Sequence, residues 1–534
     1  MKHEDEAIRR PVDAFENSTG LNRVSGADRH PQSTAAVLAR MCANEVATKW
    51  RWVLDKRWLS GALAVIVGPC AACSSSNSGG PTDGGGTNDG PPSSDAIEQP
   101  DGLASTVDGA SDVSASDSAT CATTCGGACV DTSSDPNNCG RCGTTCPAAC
   151  VSGVCRSVTA LSTGQASACA LLSGGTVECW GDNTDGQLGN GTTTNSLTPV
   201  AVSGLSGVTA ISAGWNSACA LLSSGTVECW GDNTDGQLGN GTTTGTCPDG
   251  DPCSPTPVAV SGLSGVTAIS AGNSFVCALL SGGSVQCWGD NNYGELGNGS
   301  SMGPDTCTSG SGSDPCSTAP VAVSGLSGVT AISSGGGFAC ALLSSGTIQC
   351  WGTASLYGAL GDGSRSNSPS TPGTVSGLSG VTAISAGGQT FACALLGGSV
   401  QCWGENLYGA LGSGTTVGSS STPVAVSGLS DVTAISAGWN SACALLSGGT
   451  VQCWGYNANG QLGNGTTSTS PTPSATPVPV AGLSAATAIS LGYYFACALL
   501  SGGGTVQCWG ENVDGELGNG TTSSSSSTPV AVVW

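Results

Sequence analysis

Ala218-Cys-Ala-Leu-Leu-Ser-Ser-Gly-Thr-Val-Glu-Cys-Trp-Gly-Asp-Asn-Thr-Asp-Gly-Gln-Leu-Gly-Asn-Gly241 is the stretch whose reading decides the fold. Its frame is a Cys, a short Gly/Ser turn, then Cys-Trp-Gly. The frame recurs with the tryptophan at Trp180, Trp230, Trp288, Trp351, Trp403, Trp454 and Trp509, at spacings of 50, 58, 63, 52, 51 and 55 residues. A period near fifty with several strand-like pieces per unit points to a solenoid or a propeller, not to a single globular core.

Each unit from Ser157 onward offers four candidate strands. In the second they are Val208-Thr-Ala-Ile-Ser, Ala218-Cys-Ala-Leu-Leu, Thr226-Val-Glu-Cys-Trp and the Pro-Val-Ala-Val that begins at Pro257. Gly, Asn, Asp and Ser separate them and β-branched residues fill them, as strands between tight turns require. No helical apolar period of useful length occurs. The expectation is an all-β, seven-bladed β-propeller of about four strands per blade over residues 156–534.

The cysteines register the two central strands of each unit. Most pairs lie ten residues apart, as Cys219 and Cys229 do, which centres a three-residue turn on Ser224. The fifth unit loses one turn residue (Cys393, Cys402), leaving Gly397-Gly398, and the seventh gains one (Cys497, Cys508). The turn varies while its flanks stay aligned, as expected if the two Cys face each other across a hairpin. Facing Cβ atoms are close to disulfide range. One disulfide per blade is therefore expected: Cys169 with Cys179, Cys219 with Cys229, Cys277 with Cys287, Cys340 with Cys350, Cys393 with Cys402, Cys443 with Cys453, and Cys497 with Cys508. Two inserts in units two and three carry pairs of their own, Cys247 with Cys253 and Cys307 with Cys316.

The chain has 534 residues with 85 Gly, 29 Cys, 9% charged residues and a net charge of −23. Cysteine at this density implies an oxidising compartment. Every Lys and His precedes residue 73, and from Ser74 onward only Arg141, Arg156 and Arg365 oppose the carboxylates. Such a surface repels phosphate backbones, which excludes nucleic acid as a partner. Lys49, Arg51, Lys56 and Arg57 precede the apolar Leu59–Gly68 and then Cys70-Ala-Ala-Cys73. The apolar run is too short to span a bilayer and reads as an export signal. Small residues before Cys73 and a Ser/Gly-rich stretch after it resemble a bacterial lipoprotein signal, although Cys70 stands where that pattern usually has Leu. The resemblance implies lipid attachment at Cys73 and an outer-membrane or cell-surface location; ordinary secretion is the alternative. Residues 1–73 are thus a leader, with Met41 a candidate start. Residues 74–120 read as a flexible acidic tether. Residues 121–155, with eight Cys, read as a disulfide-stapled module. Cys139-x-x-Cys142 is its one zinc-like spacing, and no His lies nearby.

Gly225–Gly241 (Gly-Thr-Val-x-Cys-Trp-Gly-x-Asn-x-x-Gly-Gln-Leu-Gly-Asn-Gly), with a preceding Val-x-x-Ile-x-x-Gly, resembles the regulator-of-chromosome-condensation repeat over residues 157–534. The resemblance implies a seven-bladed propeller. The chain departs from the family's best-known members where the second strand usually opens with His, since here that strand carries the paired Cys. The eukaryotic founder is a nucleotide-exchange factor for a nuclear GTPase whose activity needs an inserted wedge and a chromatin-facing surface; neither is located in this sequence, and that function is not carried over. Within residues 121–155, Cys-Gly-Gly-x-Cys-Val-Asp…Asp-Pro-x-Asn-Cys-Gly-x-Cys-Gly resembles a stigma-specific-protein-like module and implies no known chemistry.

Without His or Lys in the mature chain, a Ser-His-Asp triad, a phosphate-loop lysine and a His-bound metal are all excluded. Asp182 and Asp185, repeated as Asp232 and Asp235, sit among Gly and Asn as turn residues do and fail the EF-hand register. Asn-Gly-Thr at Asn190, Asn240 and Asn464 matches a glycosylation acceptor but equally a tight turn. The repeated Trp residues read as inter-blade core. The positions that differ between units are more informative, and the loop between the first two strands places Trp215, Trp439, Tyr493 and Tyr494 at equivalent sites. These rings are expected along one arc of a rim as a partner-binding patch, or as a plug in the ring's mouth. The functional expectation is a monomeric, non-enzymatic, surface-anchored propeller with no cofactor or metal that binds a protein or glycan. The alternatives are an inhibitor of an extracellular enzyme such as a β-lactamase, which a similar propeller inhibits, and a carboxylate-based glycoside hydrolase.

Overall fold

The computed structural model describes residues 124–534, apart from 126–127, 134, 136, 144, 147–148, 152, 249, 310–311, 354–356, 366–367, 389, 468–472 and 503. The expected leader, the lipid-attachment residue Cys73 and the acidic tether lie outside the described residues. In the Cys-rich segment, Ala149–Val151 pairs with Val154–Arg156, and disulfides join Cys139 to Cys150 and Cys146 to Cys155.

Residues 158–534 form seven antiparallel sheets, each made of consecutive strands. In the second blade the order from the axis outward is Val208–Ala213, Ser217–Leu222, Val227–Asp232 and Cys253–Ala259. Blade three departs from the expected count. Its insert folds back as Asp305–Ser309 against the outer strand Gly312–Ala322, making five strands, and a disulfide from Cys307 to Cys316 ties the two together. The insert of blade two is closed likewise, by Cys247 and Cys253. The outer strands carry Pro at equivalent places (Pro199, Pro257, Pro320, Pro423, Pro477 and Pro529), which suits an edge with no further ladder to join.

Register follows the cysteines. Cys169 stands opposite Cys179, Cys219 opposite Cys229, Cys277 opposite Cys287 and Cys340 opposite Cys350. In the last three blades Cys393 faces Cys402, Cys443 faces Cys453 and Cys497 faces Cys508. The Cα atoms of all seven pairs are 4.0–4.1 Å apart. Each blade thus holds one Cys pair at disulfide distance, in the pairing the turn lengths lead one to expect. Leu222 and Thr226 close a three-residue turn in which Gly225 has φ 77°. The shortened fifth turn keeps the register by using Gly397 and Gly398 at φ 56° and 78°, the left-handed pair that a two-residue hairpin loop needs.

Adjacent blades are joined by three repeated devices. The first is apolar. Each of the seven Cys-Trp-Gly tryptophans is fully buried against the disulfide and aliphatic residues of the preceding blade, so Trp230 packs with Cys169, Leu171, Val177 and Cys179. Its indole Nε1 donates to a loop carbonyl of that blade (Trp230 to Gln187, Trp180 to Glu516), 2.8–2.9 Å in all seven cases. A glycine with positive φ lies beneath each ring; a Cβ on Gly189 would come within 2.8 Å of Trp230. The second device is a belt of serines on the innermost strands. Ser162 Oγ accepts the N–H of Ala213, and the pattern continues round to Ser490, which accepts that of Thr163, at 2.8–3.1 Å. These amides face the channel, where no strand can pair them. The third is a circle of inner glycines, Gly164, Gly214, Gly272, Gly335, Gly387, Gly438 and Gly492. A Cβ on any of them would lie 2.3–2.6 Å from the carbonyl oxygen of the next.

The ring closes without exchanging a strand. Blades one and seven each use their own four strands, and blade seven meets blade one through Trp180 to Glu516, Thr163 to Ser490 and Asn195 Nδ2 to Asp514 Oδ1 at 3.0 Å. Trp534 then packs edge-on against Trp180 at 6.0 Å.

Two outcomes are expected from this architecture. Trp230→Ala removes a ring buried between two blades and should cost about 3–5 kcal/mol in denaturant unfolding. Reduction, or the combined change of Cys219→Ala and Cys229→Ala, should cost about 2–3 kcal/mol per hairpin from the loop-closure term alone. Mass spectrometry of non-reduced peptides finding Cys219 and Cys229 unlinked would refute the register.

Candidate binding face

Strands alternate in direction, so the loops between the first and second strands emerge on the same face as those between the third and fourth. On this face the blades cease to be alike. The first set of loops overhangs the channel, and their inner glycines bring the backbones together around a cavity of about 110 Å³. Trp215, Trp439 and Tyr493 line it.

The structure brings the expected aromatic residues together in one cluster. Trp215 lies 5.9 Å from Trp439 and 6.0 Å from Tyr493, and Trp439 lies 4.1 Å from Tyr493. The rings of blades two, six and seven therefore meet across the mouth instead of standing apart along an arc, because their loops begin at the innermost strands. From Tyr493 the rings continue outward: Tyr494 at 4.3 Å, then Tyr456 at 5.6 Å, then Tyr408 at 4.7 Å. All six are half-buried. The result is one continuous aromatic stripe from the channel mouth across blades seven and six to blade five.

Tyr456 and Tyr408 escape a reading confined to the first loop, yet their signal is present. They replace turn residues in the loop after Cys-Trp-Gly. Tyr456 stands where other blades have Asp182 and Asp232, and Tyr408 stands where they have Asp185 and Asp235. Both replacements have a local cost. Tyr408 adopts φ 64°, which Asp185 and Asp235 avoid. Gln187 and Gln237 donate Nε2 to Asp182 and Asp232 at 2.8 Å; Tyr456 removes that acceptor, and Nε2 of the buried Gln461 has no partner.

The remaining polar groups of these loops serve the loops themselves. Asn233 is fully buried, donating to the Thr242 carbonyl and accepting from Leu238 N–H, and its equivalents repeat the brace. Asp182 and Asp232 hold Thr184 and Thr234 as turn acceptors, as the sequence reading expects. Asn190, Asn240 and Asn464 accept the N–H two residues on. In the Cys-rich segment the sulfurs of Cys139, Cys146 and Cys155 lie within 4.8 Å of one another, but all three are disulfide-bonded and offer no thiolate to a metal.

Burial raises several carboxylates on this face. Desolvation pushes Asp232 up to about 6, opposed by its bonds to Thr234. Desolvation and then the charge of Asp290 push Asp235 up to about 7. Desolvation takes Asp290 to about 6 and Glu516 to about 8, and desolvation followed by Asp290 holds Glu295 well above the carboxylate range. Glu295 and Glu516 occupy the place of Gln187, and each accepts a backbone N–H two residues back, as that Gln does. Glu511, at the position of Asp182, is also raised by burial, and its Oε1 accepts from Asn459 Nδ2 at 3.1 Å.

A ring of seven rigid blades with chemistry varied on one loop face is a binding or regulatory scaffold. Models described as the regulator of chromosome condensation (RCC1) repeat match residues 175–221, 224–279, 282–342, 397–445 and 448–499, and a second model of the same description matches six segments between 158 and 516. The chain belongs to the RCC1 repeat family. It is 28% identical over 317 residues to the ultraviolet-B receptor UVR8 of Arabidopsis thaliana, covering 58% of this chain and 68% of that one. It is 30% identical over 265 residues to the human E3 ubiquitin-protein ligase HERC2, covering 48% of this chain but only 5% of the ligase. Among solved structures, yeast RCC1 (Prp20) bound to Kap60 superposes with a TM-score of 0.56 at 18% identity, covering 67% of this chain and 83% of that one. Human WBSCR16 superposes at 0.55 with 22% identity, covering 65% and 88%. At these identities the structural likeness concerns the fold.

The raised carboxyls give stability a definite pH dependence. Unfolded carboxyls titrate near 4, whereas Asp232, Asp235, Asp290 and Glu516 release their protons between about 6 and 8. The folded state binds more protons through that window. Their contribution is therefore complete below about pH 4 and lost as pH rises toward 8. The melting temperature should be higher at pH 5 than at pH 8. Glu295→Gln, which restores the amide seen in blades one and two, should raise stability at pH 8 by about 1 kcal/mol and flatten the profile. A melting temperature rising from pH 5 to 8 would contradict this assignment.

Proposed function

We propose that this propeller is a non-catalytic binding module acting outside the cytoplasm, anchored through lipid at Cys73, that holds a protein or glycan partner against the aromatic stripe. The observation that carries the reading is the stripe itself. Six rings, drawn from four blades, are gathered on the one face where the repeats diverge. Clustered aromatic side chains concentrate binding energy in interfaces.

The compartment follows from the Cys-rich composition and the export-type leader, and the non-catalytic character from the chemistry available. The mature chain has no His or Lys, and Asp182, Asp232, Glu295 and Glu516 on this face brace their own turns. Among the described residues no helix is long and apolar enough to cross a membrane. Protein binding is also the activity named for a relative of the same fold, since yeast Prp20p is described by its binding to Gsp1p and histones.

A photo-crosslinking residue placed at Tyr456 should capture a partner on intact cells, whereas the same residue at Ser224, in a hairpin turn on the opposite face, should not. Trp215→Ala with Trp439→Ala should weaken that capture at least tenfold, while lowering the melting temperature far less than Trp230→Ala. Equal capture from both faces would overturn the assignment of the binding face.

A further inference from the structure

Resting on the binding reading above, we infer that the partner presents a cationic, Lys- and Arg-bearing extended protein segment, whose side-chain cations lie over the rings of Tyr456 and Tyr494 and against Glu511. Residues 157–534 hold eighteen Asp and Glu against one basic residue, Arg365, and Arg365 donates Nη2 to the Ser419 carbonyl at 2.7 Å. The propeller therefore supplies no lysine and no second arginine to pair with the carboxylates beside the stripe.

Glu511 is central to that deficit. It is half-buried; its backbone N–H donates to the Tyr494 carbonyl at 3.0 Å, and its Oε1 accepts at 3.1 Å from Nδ2 of Asn459, in the same loop as Tyr456. Tyrosine and tryptophan faces attract cations, most strongly where water is displaced. An anionic polymer meets repulsion here. A neutral sugar could stack on the rings, but it would desolvate Glu511 further and return no charge.

The local costs point the same way. The left-handed backbone of Tyr408 and the unpartnered Nε2 of Gln461 are both incurred where a ring replaces a turn residue in the stripe. Tyr293 holds the same turn position as Tyr408 in blade three without a left-handed φ, so a ring at this place does not by itself require the strain. Backbone strain and unmet buried polar groups cluster at functional positions.

The test uses the intact exported chain and a fluorescent twelve-residue peptide alternating Lys or Arg with Gly or Ser, followed by anisotropy. Binding should weaken about tenfold or more between 50 and 300 mM NaCl. At low salt, Tyr456→Leu and Glu511→Gln should each weaken it about fivefold, and Tyr456→Phe should retain it. Asp431→Asn, an exposed carboxylate on the opposite face, should leave it unchanged. Loss equal to that of Glu511→Gln from Asp431→Asn would show general charge attraction and overturn the inference. So would an absence of binding, equal losses from Tyr456→Phe and Tyr456→Leu, or a neutral oligosaccharide that displaces the peptide and binds independently of salt. The last result would leave the stripe as the binding face, whereas failure of the crosslinking experiment would remove the face itself.

Discussion

The indole of Cys-Trp-Gly, buried between one blade and the next, is the contact on which the rest of the molecule depends. A four-stranded antiparallel sheet built mainly of Ala, Val, Leu and Cys, with one buried Phe in blades three, four, five and seven, has too little apolar bulk to stand alone. Each of the seven principal apolar clusters draws on two neighbouring blades. The ring supplies the bulk, and the Nε1 bond to the preceding loop fixes the angle at which it enters. A contact repeated seven times around a closed circle leaves little freedom to the curvature. Such a circle must also close on itself. Here blade seven meets blade one through the same indole, serine and glycine contacts as every other pair.

Next to this interface the disulfides act locally. Each ties the two central strands of one blade and forms part of the surface on which the next tryptophan rests. A small blade is thereby held as a hairpin whatever its neighbour contributes. The serine belt and the glycine circle finish the inner wall. One satisfies amides that no strand can reach, and the other allows loop backbones to approach more closely than any side chain would permit.

The face that varies does so at a measurable local expense. Acidic turn residues become tyrosines, a glutamine loses its acceptor, and glutamates replace Gln187 at two interfaces. Of these residues only Tyr408 takes a left-handed φ; elsewhere the indole beneath each loop, and a buried Asn in six of the seven, already hold the backbone. The scaffold's redundancy is what allows binding chemistry to be placed there.

Architecture was legible in the sequence because it is encoded by repetition. A period near fifty, four strand-like pieces and a Cys pair at constant register are local signals, and Cys219 with Cys229 shows how a varying turn length alone reveals which residues face each other. The role of Trp230 was legible for the same reason, since a residue present in every unit serves what every unit shares. The binding face was only half legible. Trp215, Trp439, Tyr493 and Tyr494 stand out as departures from the repeat, but they are separated by up to 279 positions. That blades two, six and seven bring three of these rings into contact across the mouth is a property of ring closure and of loops that start at the axis. Tyr456 and Tyr408 join them because third-strand loops open on the same face, and the burial that raises Glu295 and Glu511 arises only when neighbouring blades pack. Local pattern decides strands and pairings; distance across a closed ring, and desolvation between blades, exist only in the tertiary structure.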